Sequence, residues 1–192
     1  MAAAVERNAC VLAAHLLRDA VLRDSRLPVK FDSSLQSTLR ACVPPELSGD
    51  ASACHSKVLG VASAVDGSYA AFYRVDAAML GRGEFGYGRD LRFTVGAPGR
   101  WRVEGVGAHS EGTYDWVGDW DVRQRPWLTD HTASGGSRAI RDGAWSRPYA
   151  DPVTREMLES YVVPLLRGGD RGEVVGVVLA GTFLVHVAGT GI

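Results

Sequence analysis

Two long apolar runs near the C-terminus constrain the fold more than any other feature of the chain. Glu156 to Leu166 and Glu173 to about Val187 are rich in Val and Leu, and Gly168-Gly169-Asp170-Arg171-Gly172 joins them. β-Branched content of this kind suits buried strands, and a short Gly-rich link makes two such runs antiparallel neighbours. The segment from Val174 to Ile192 carries no formal charge with His186 neutral, and its length approaches that of a membrane span. Gly176, Gly181, Gly189, Gly191, Thr182 and His186 interrupt it, which favours a buried strand over a membrane helix.

The remaining segments fit around that pair. Ala2 to about Asp24 reads as one helix, with Val5, Leu12, Leu16 and Val21 as its apolar stripe among Arg7, Arg18, Asp19 and Arg23. At about 1.5 Å per residue it is long for the domain, so it packs along the sheet or against a second copy. A shorter helix follows Pro28, capped by Asp32 or Ser33, with Leu35, Leu39 and Cys42 inward and Pro44-Pro45 at its end. Lys57 to Asp76 reads as a hairpin turning at Asp66-Gly67. Leu91 to Val95 and Trp101 to Val106 are two more strands, turned at Gly96 to Gly99. Ala108 to Tyr149 is long, aromatic-rich and irregular, a kind of section that compact domains keep for binding. Strands in series beside segregated helices mean α+β with an antiparallel sheet of about five or six strands. The division expected is a helical segment over residues 1–50 and a sheet domain over residues 51–192.

Composition excludes several function classes. The chain has 192 residues, 46% of them apolar and 22% charged, and a net charge of −1, so no electrostatic footprint for nucleic acid exists. Cys10, Cys42 and Cys54 form no CxxC pair. Cys42 and Cys54 flank a loop with Pro44, Pro45 and Gly49; they could be bridged in an oxidising compartment, or all three thiols stay unpaired. The N-terminus does not read as a signal peptide, since Glu6 and Arg7 precede a short apolar run. His109, His131, Glu111, Asp119 and Asp130 share the long section without HxxxH or HExxH spacing, so no metal is expected. Cys54-His55 are adjacent and do not aim at one another. Gly81-Arg82-Gly83-Glu84-Phe85-Gly86 matches GxGxxG in letters but lacks the helix that would follow a nucleotide loop. No GxSxG or P-loop occurs, so neither an enzyme nor a cofactor is expected.

Within the long section, four residues carry recognition chemistry. Arg125 presents a planar fork that holds a carboxylate with two parallel hydrogen bonds. Trp127 and Tyr149 can exclude water and stack on a ligand. Asp151 can pair with an ammonium or accept from a hydroxyl. Each has an ordinary alternative: a loop-tying ion pair for Arg125, plain core packing for the aromatics, and a local Asx-turn before Pro152 for Asp151.

The order Arg125-Pro126-Trp127, then Trp145-Ser146-Arg147-Pro148-Tyr149-Ala150-Asp151, Val163-Pro164 and Gly176-Val177-Val178, resembles the Cache sensor domains, which are PAS-like ligand-binding domains. The resemblance covers about Val58 to Leu184 and implies a PAS-like sheet, a long first helix and a ligand-binding loop section. In the amino-acid-binding Cache receptors an Arg-x-Trp pair contacts the ligand carboxylate, and a Tyr-x-Asp pair with a later strand aspartate contacts its amine. Arg125 and Trp127 match the first pair, and Tyr149 and Asp151 the second. An aromatic five residues before the arginine, usually tyrosine there, is Trp120 here, and the late aspartate falls on Gly181. The resemblance implies a sensory domain for an amino acid, organic acid or amine, with Arg125, Trp127, Tyr149, Asp151 and Trp120 at the ligand. It further implies signal relay in a receptor such as a chemoreceptor or histidine kinase, an extracytoplasmic place, and membrane contact only through segments outside this chain, while the length of the first helix admits a homodimer through it. The alternatives are a soluble cytoplasmic protein and a dimerisation module of the same fold without ligand.

Overall fold

The structure, a computed structural model, describes residues 2–24, 29–31, 35, 37–39, 58–74, 90–97, 100–106, 113–117, 122–132, 142–151, 157–168 and 172–184. Cys42, Cys54, His55, the Gly-rich stretch at 81–86, His109, Glu111, Asp119 and Trp120 lie outside the described residues. The fold class is the expected one, α+β, with a long N-terminal helix against an antiparallel sheet.

Among the described residues nine strands make the sheet: β1 (Val58–Ser63), β2 (Tyr69–Arg74), β3 (Asp90–Ala97), β4 (Arg100–Val106), β5 (Thr113–Val117), β6 (Ala144–Trp145), β7 (Tyr149–Ala150), β8 (Met157–Arg167) and β9 (Glu173–Phe183). Their order is β5-β4-β3-β2-β1-β9-β8-β6, with β7 also on β8. Three of these elements, β5, β6 and β7, come from the section that reads as irregular in the sequence, and β6 and β7 have only two residues each. The apolar run after Glu173 sits where an uncharged strand is best satisfied, paired on one side with β1 and on the other with β8. No helix among the described residues is long and apolar enough to cross a membrane.

The β1–β2 hairpin forms, although its connection is longer than a two-residue turn. Ser63 N donates to Ser68 O (2.8 Å) across the link of residues 64–68. Ser63 Oγ accepts from the amides of Val65 and Asp66, Asp66 Oδ1 accepts from Ser68 N, and Gly67 takes φ 75°, which only glycine adopts freely.

Helix α1 (Ala2–Asp24) lies against β8 and β9. Its buried face is Cys10, Ala13, Ala14, Leu17 and Val21, a helical stripe of mostly small side chains. This corrects the stripe read from the sequence: Val21 is buried, but Leu12 and Leu16 are 58% and 45% exposed. Small residues let the helix axis approach the sheet closely, whereas leucines at positions 13 and 14 would hold it off. Leu35 and Leu39, in a short helical stretch, join the same core with Leu59, Val61, Ala70, Val163, Val178 and Ala180 from the sheet.

The opposite face of the central strands carries Val58, Gly60, Tyr69, Ser160, Val162, Leu179 and Gly181 by strand alternation. A second helix, α2 (Pro126–Thr132), packs on β8 and β9 from this side. All six residues of β1 are buried, so the sheet is covered on both faces at this strand.

Candidate functional site

Arg125 sits at the entrance to α2. Its amide donates to Val122 O (3.1 Å), ending a 3-10 turn over Val122–Gln124, and its carbonyl accepts from Leu128 N (2.9 Å) and Thr129 N (2.8 Å). Pro126 occupies the first helical position, where a missing N–H costs nothing. The approach is held from the sheet side: Arg123 lies across Gly67, so close that a Cβ there would meet Nε at 3.3 Å. The hairpin tip and the segment leading to Arg125 are therefore in direct contact.

One turn of α2 turns Trp127, Leu128 and His131 inward. Trp127 is 1% exposed and lies between two tyrosines, Tyr69 at 5.6 Å and Tyr149 at 6.5 Å between ring centroids. Both distances suit tilted aromatic packing. Tyr69 comes close to β1 because Gly60 has no side chain; a Cβ there would stand 3.0 Å from the tyrosine ring.

Tyr149 on β7 is buried, and its hydroxyl meets Ser160 Oγ at 2.8 Å. Burial pushes the phenol well above its ordinary pKa, the Ser160 hydrogen bond pulls it down, Asp151 raises it and Arg125 lowers it. The phenol is thus neutral, and the charges of Asp151 and Arg125 are both near enough to act on it. Asp151 is 2% exposed. Carboxylates are almost never buried so fully unless paired.

Ser160, Gly181 and Val58 form one cross-strand row beneath this group. Ser160 Oγ lies 2.6 Å from where a Cβ on Gly181 would stand. The serine hydroxyl therefore occupies the start of any side chain at position 181, which is where the resemblance expects an aspartate.

His131, one turn beyond Trp127, is buried, and neither ring nitrogen makes a well-formed hydrogen bond. Burial lowers its pKa below 6.5, while Asp130 and the main chain of Trp127 and Val162 oppose the shift. Asp130 itself faces outward to Arg147, with Oδ1 at 2.9 Å from Nη2.

Of the five residues singled out in the sequence, the structure brings Arg125, Trp127, Tyr149 and Asp151 to one side of the sheet, and Trp120 lies outside the described residues. Tyr69, Ser160 and His131 were not selected for this site from the sequence. Tyr69 sits in a strand nearly sixty residues before Trp127, and only the Gly60 opposite its ring hints at a close approach.

Neither a protein-family model nor a curated protein matches the sequence. Among solved structures, the chain is similar to the ligand-binding domain of the Pseudomonas aeruginosa amino acid chemoreceptor PctB in complex with L-Arg, at 18% identity and a TM-score of 0.46, over 90% of this chain and 47% of that one. It is similar to the ligand-binding domain of PctC from the same organism in complex with GABA, at 15% identity and a TM-score of 0.41, over 88% and 51%. It is also similar to that of the Campylobacter jejuni chemoreceptor Tlp3 in complex with 4-methylisoleucine, at 10% identity and a TM-score of 0.41, over 88% and 49%. The chain spans about half the length of these chains. All three are chemoreceptor ligand-binding domains.

Proposed function

We propose that the chain is a non-enzymatic sensory domain that binds a small, polar, carboxylate-bearing ligand beside α2 and relays the event as a conformational change. The observation that supports it is the grouping of Trp127, Tyr149 and Asp151, all buried, with Arg125 near enough to act on the same phenol. In this reading Arg125 takes the ligand carboxylate, Trp127 excludes water, and Asp151 takes an amine or hydroxyl at the other end. Differential affinity of that ligand for two arrangements of the loop and sheet supplies the signal. The domain acts on the extracytoplasmic side of a membrane, held by segments outside this chain.

The test is a melting experiment against amino acids, organic acids and amines. A ligand at a hundredfold excess over its dissociation constant adds about 2.7 kcal/mol of stability. Arg125→Ala should remove the shift produced by any carboxylate ligand so found; an unchanged shift would overturn the assignment. A second reading, a dimerisation module without ligand, draws on Leu12 and Leu16, exposed one turn apart on α1. It predicts no shift across the panel and a dimer in light scattering that Leu16→Glu dissolves.

A further inference from the structure

Strand β8 carries a residue of the site on one face and the seat of α1 on the other. Ser160 faces α2 and meets the Tyr149 hydroxyl at 2.8 Å. Its neighbours Glu159 and Tyr161 face α1, as alternation requires. Glu159 meets Arg7 Nε at 3.4 Å, and the Arg7 guanidinium lies 4.4 Å from the centroid of Trp145. Tyr161 packs edge-on against Trp145 at 5.6 Å and meets His15 at 5.8 Å. Trp145, Glu159 and Tyr161 thus form a seat in which α1 rests through Arg7 and His15.

The two sides share a backbone clamp. The Ser160 amide donates to Ser146 Oγ (3.1 Å), and its carbonyl accepts from the Ser146 amide (2.8 Å). Ser146 directly follows Trp145, the ring under Arg7. Contacts therefore run without a gap from Tyr149 through Ser160 and Ser146 to Trp145 and Arg7. The Arg7 contacts are a half-exposed ion pair and a cation–π contact, each weak alone, so a small displacement sets or releases them. The tyrosine end is buried, where losing one hydroxyl leaves its partner unsatisfied.

We infer that β8 couples the site to an Arg7 latch on α1: the state of the Tyr149–Ser160 hydroxyl pair sets the Ser146–Ser160 clamp, and the clamp sets the Trp145–Glu159 seat. This deepens the relay in the function proposed above, but its test needs no ligand, so a failed ligand screen and a failed coupling are distinguishable. Local opening of the helix is read by amide hydrogen exchange at residues 11–17 of α1, with β1 and β9 as internal references. Four chains are compared: the protein itself, Ser160→Ala, Arg7→Ala and the double variant. Each single change should speed exchange of the helix relative to the references by about tenfold. The double variant should be no faster than the faster single, because both act on one latch.

Rates that multiply in the double variant would overturn the coupling. So would a Ser160→Ala chain whose exchange changes only near β7 and β8. Should Ser160→Ala fail to fold, Tyr149→Phe removes the same hydrogen bond from the other side and replaces it in the cycle, with the same two outcomes.

Discussion

Beneath α1 the sheet presents Leu59, Val61, Ala70, Val163, Val178 and Ala180, and the helix answers with Ala13, Ala14 and Leu17. Beneath α2 it presents Tyr69, Ser160, Gly60 and Gly181, and the covering residues are Trp127, Tyr149, His131 and Asp151. Both of these patches are closed to solvent, yet the first is filled with aliphatic volume and the second with rings, hydroxyls and charge. Burying polar groups costs free energy unless each finds a partner. A fold that needed only stability would use the first solution twice. Under the function proposed above, the second face carries that cost for the recognition of a polar ligand.

The largest test of this contrast is Trp127→Ala, which removes the ring around which the α2 face is organised. It should destabilise the protein by about 3–5 kcal/mol in equilibrium denaturation. A loss below about 1 kcal/mol would mean that the α2 face is not a packed layer at all. Next comes Gly181→Ala. The new methyl competes with Ser160 Oγ, which must leave Tyr149, at a cost of about 1–3 kcal/mol. Ser160→Gly in the same chain clears the space but leaves the Tyr149 hydroxyl without that partner, so it should recover little of the loss; full recovery would place the cost in crowding alone.

Acid should act on the α2 face first. His131 binds its proton less readily folded than unfolded, so its contribution is complete above pH 6.5 and is lost as pH falls below that value. For Asp66, burial raises the pKa, but hydrogen bonds involving Ser63 and Ser68 outweigh it and leave the group lowered, so its contribution fades only below pH 3.8. The two windows do not overlap near pH 5–6. His131→Leu should flatten the fall of melting temperature between pH 6.5 and 5, and an unchanged slope would clear the histidine. The smallest effect belongs to the outer side of α1: Leu12→Ala should change stability by no more than about 0.5 kcal/mol in the monomer. A larger loss would show that the exposed leucines are covered in solution.

Part of this contrast could be read before any coordinates. Arg125, Trp127, Tyr149 and Asp151 were legible because their chemistry is distinctive and their order resembles a known series. Helix α2 was not, since seven residues make less than two full turns and leave no periodicity to detect. The buried side of α1 was misread for a related reason. A hydropathy pattern ranks leucine above alanine, but a close helix–sheet approach selects Ala13 and Ala14 and turns Leu12 and Leu16 outward.

The sequence by itself determined the elements with strong local signals: the extent of α1, the β1–β2 hairpin and the closing β8–β9 pair. These depend on neighbours within a few residues, where spacing and turn chemistry decide. Only the tertiary structure decided that Tyr69 backs Trp127, that Ser160 stands over Gly181, and that one strand links Tyr149 to Arg7. Those facts depend on strand register and on distances between segments far apart in the chain, and local patterning carries no record of either.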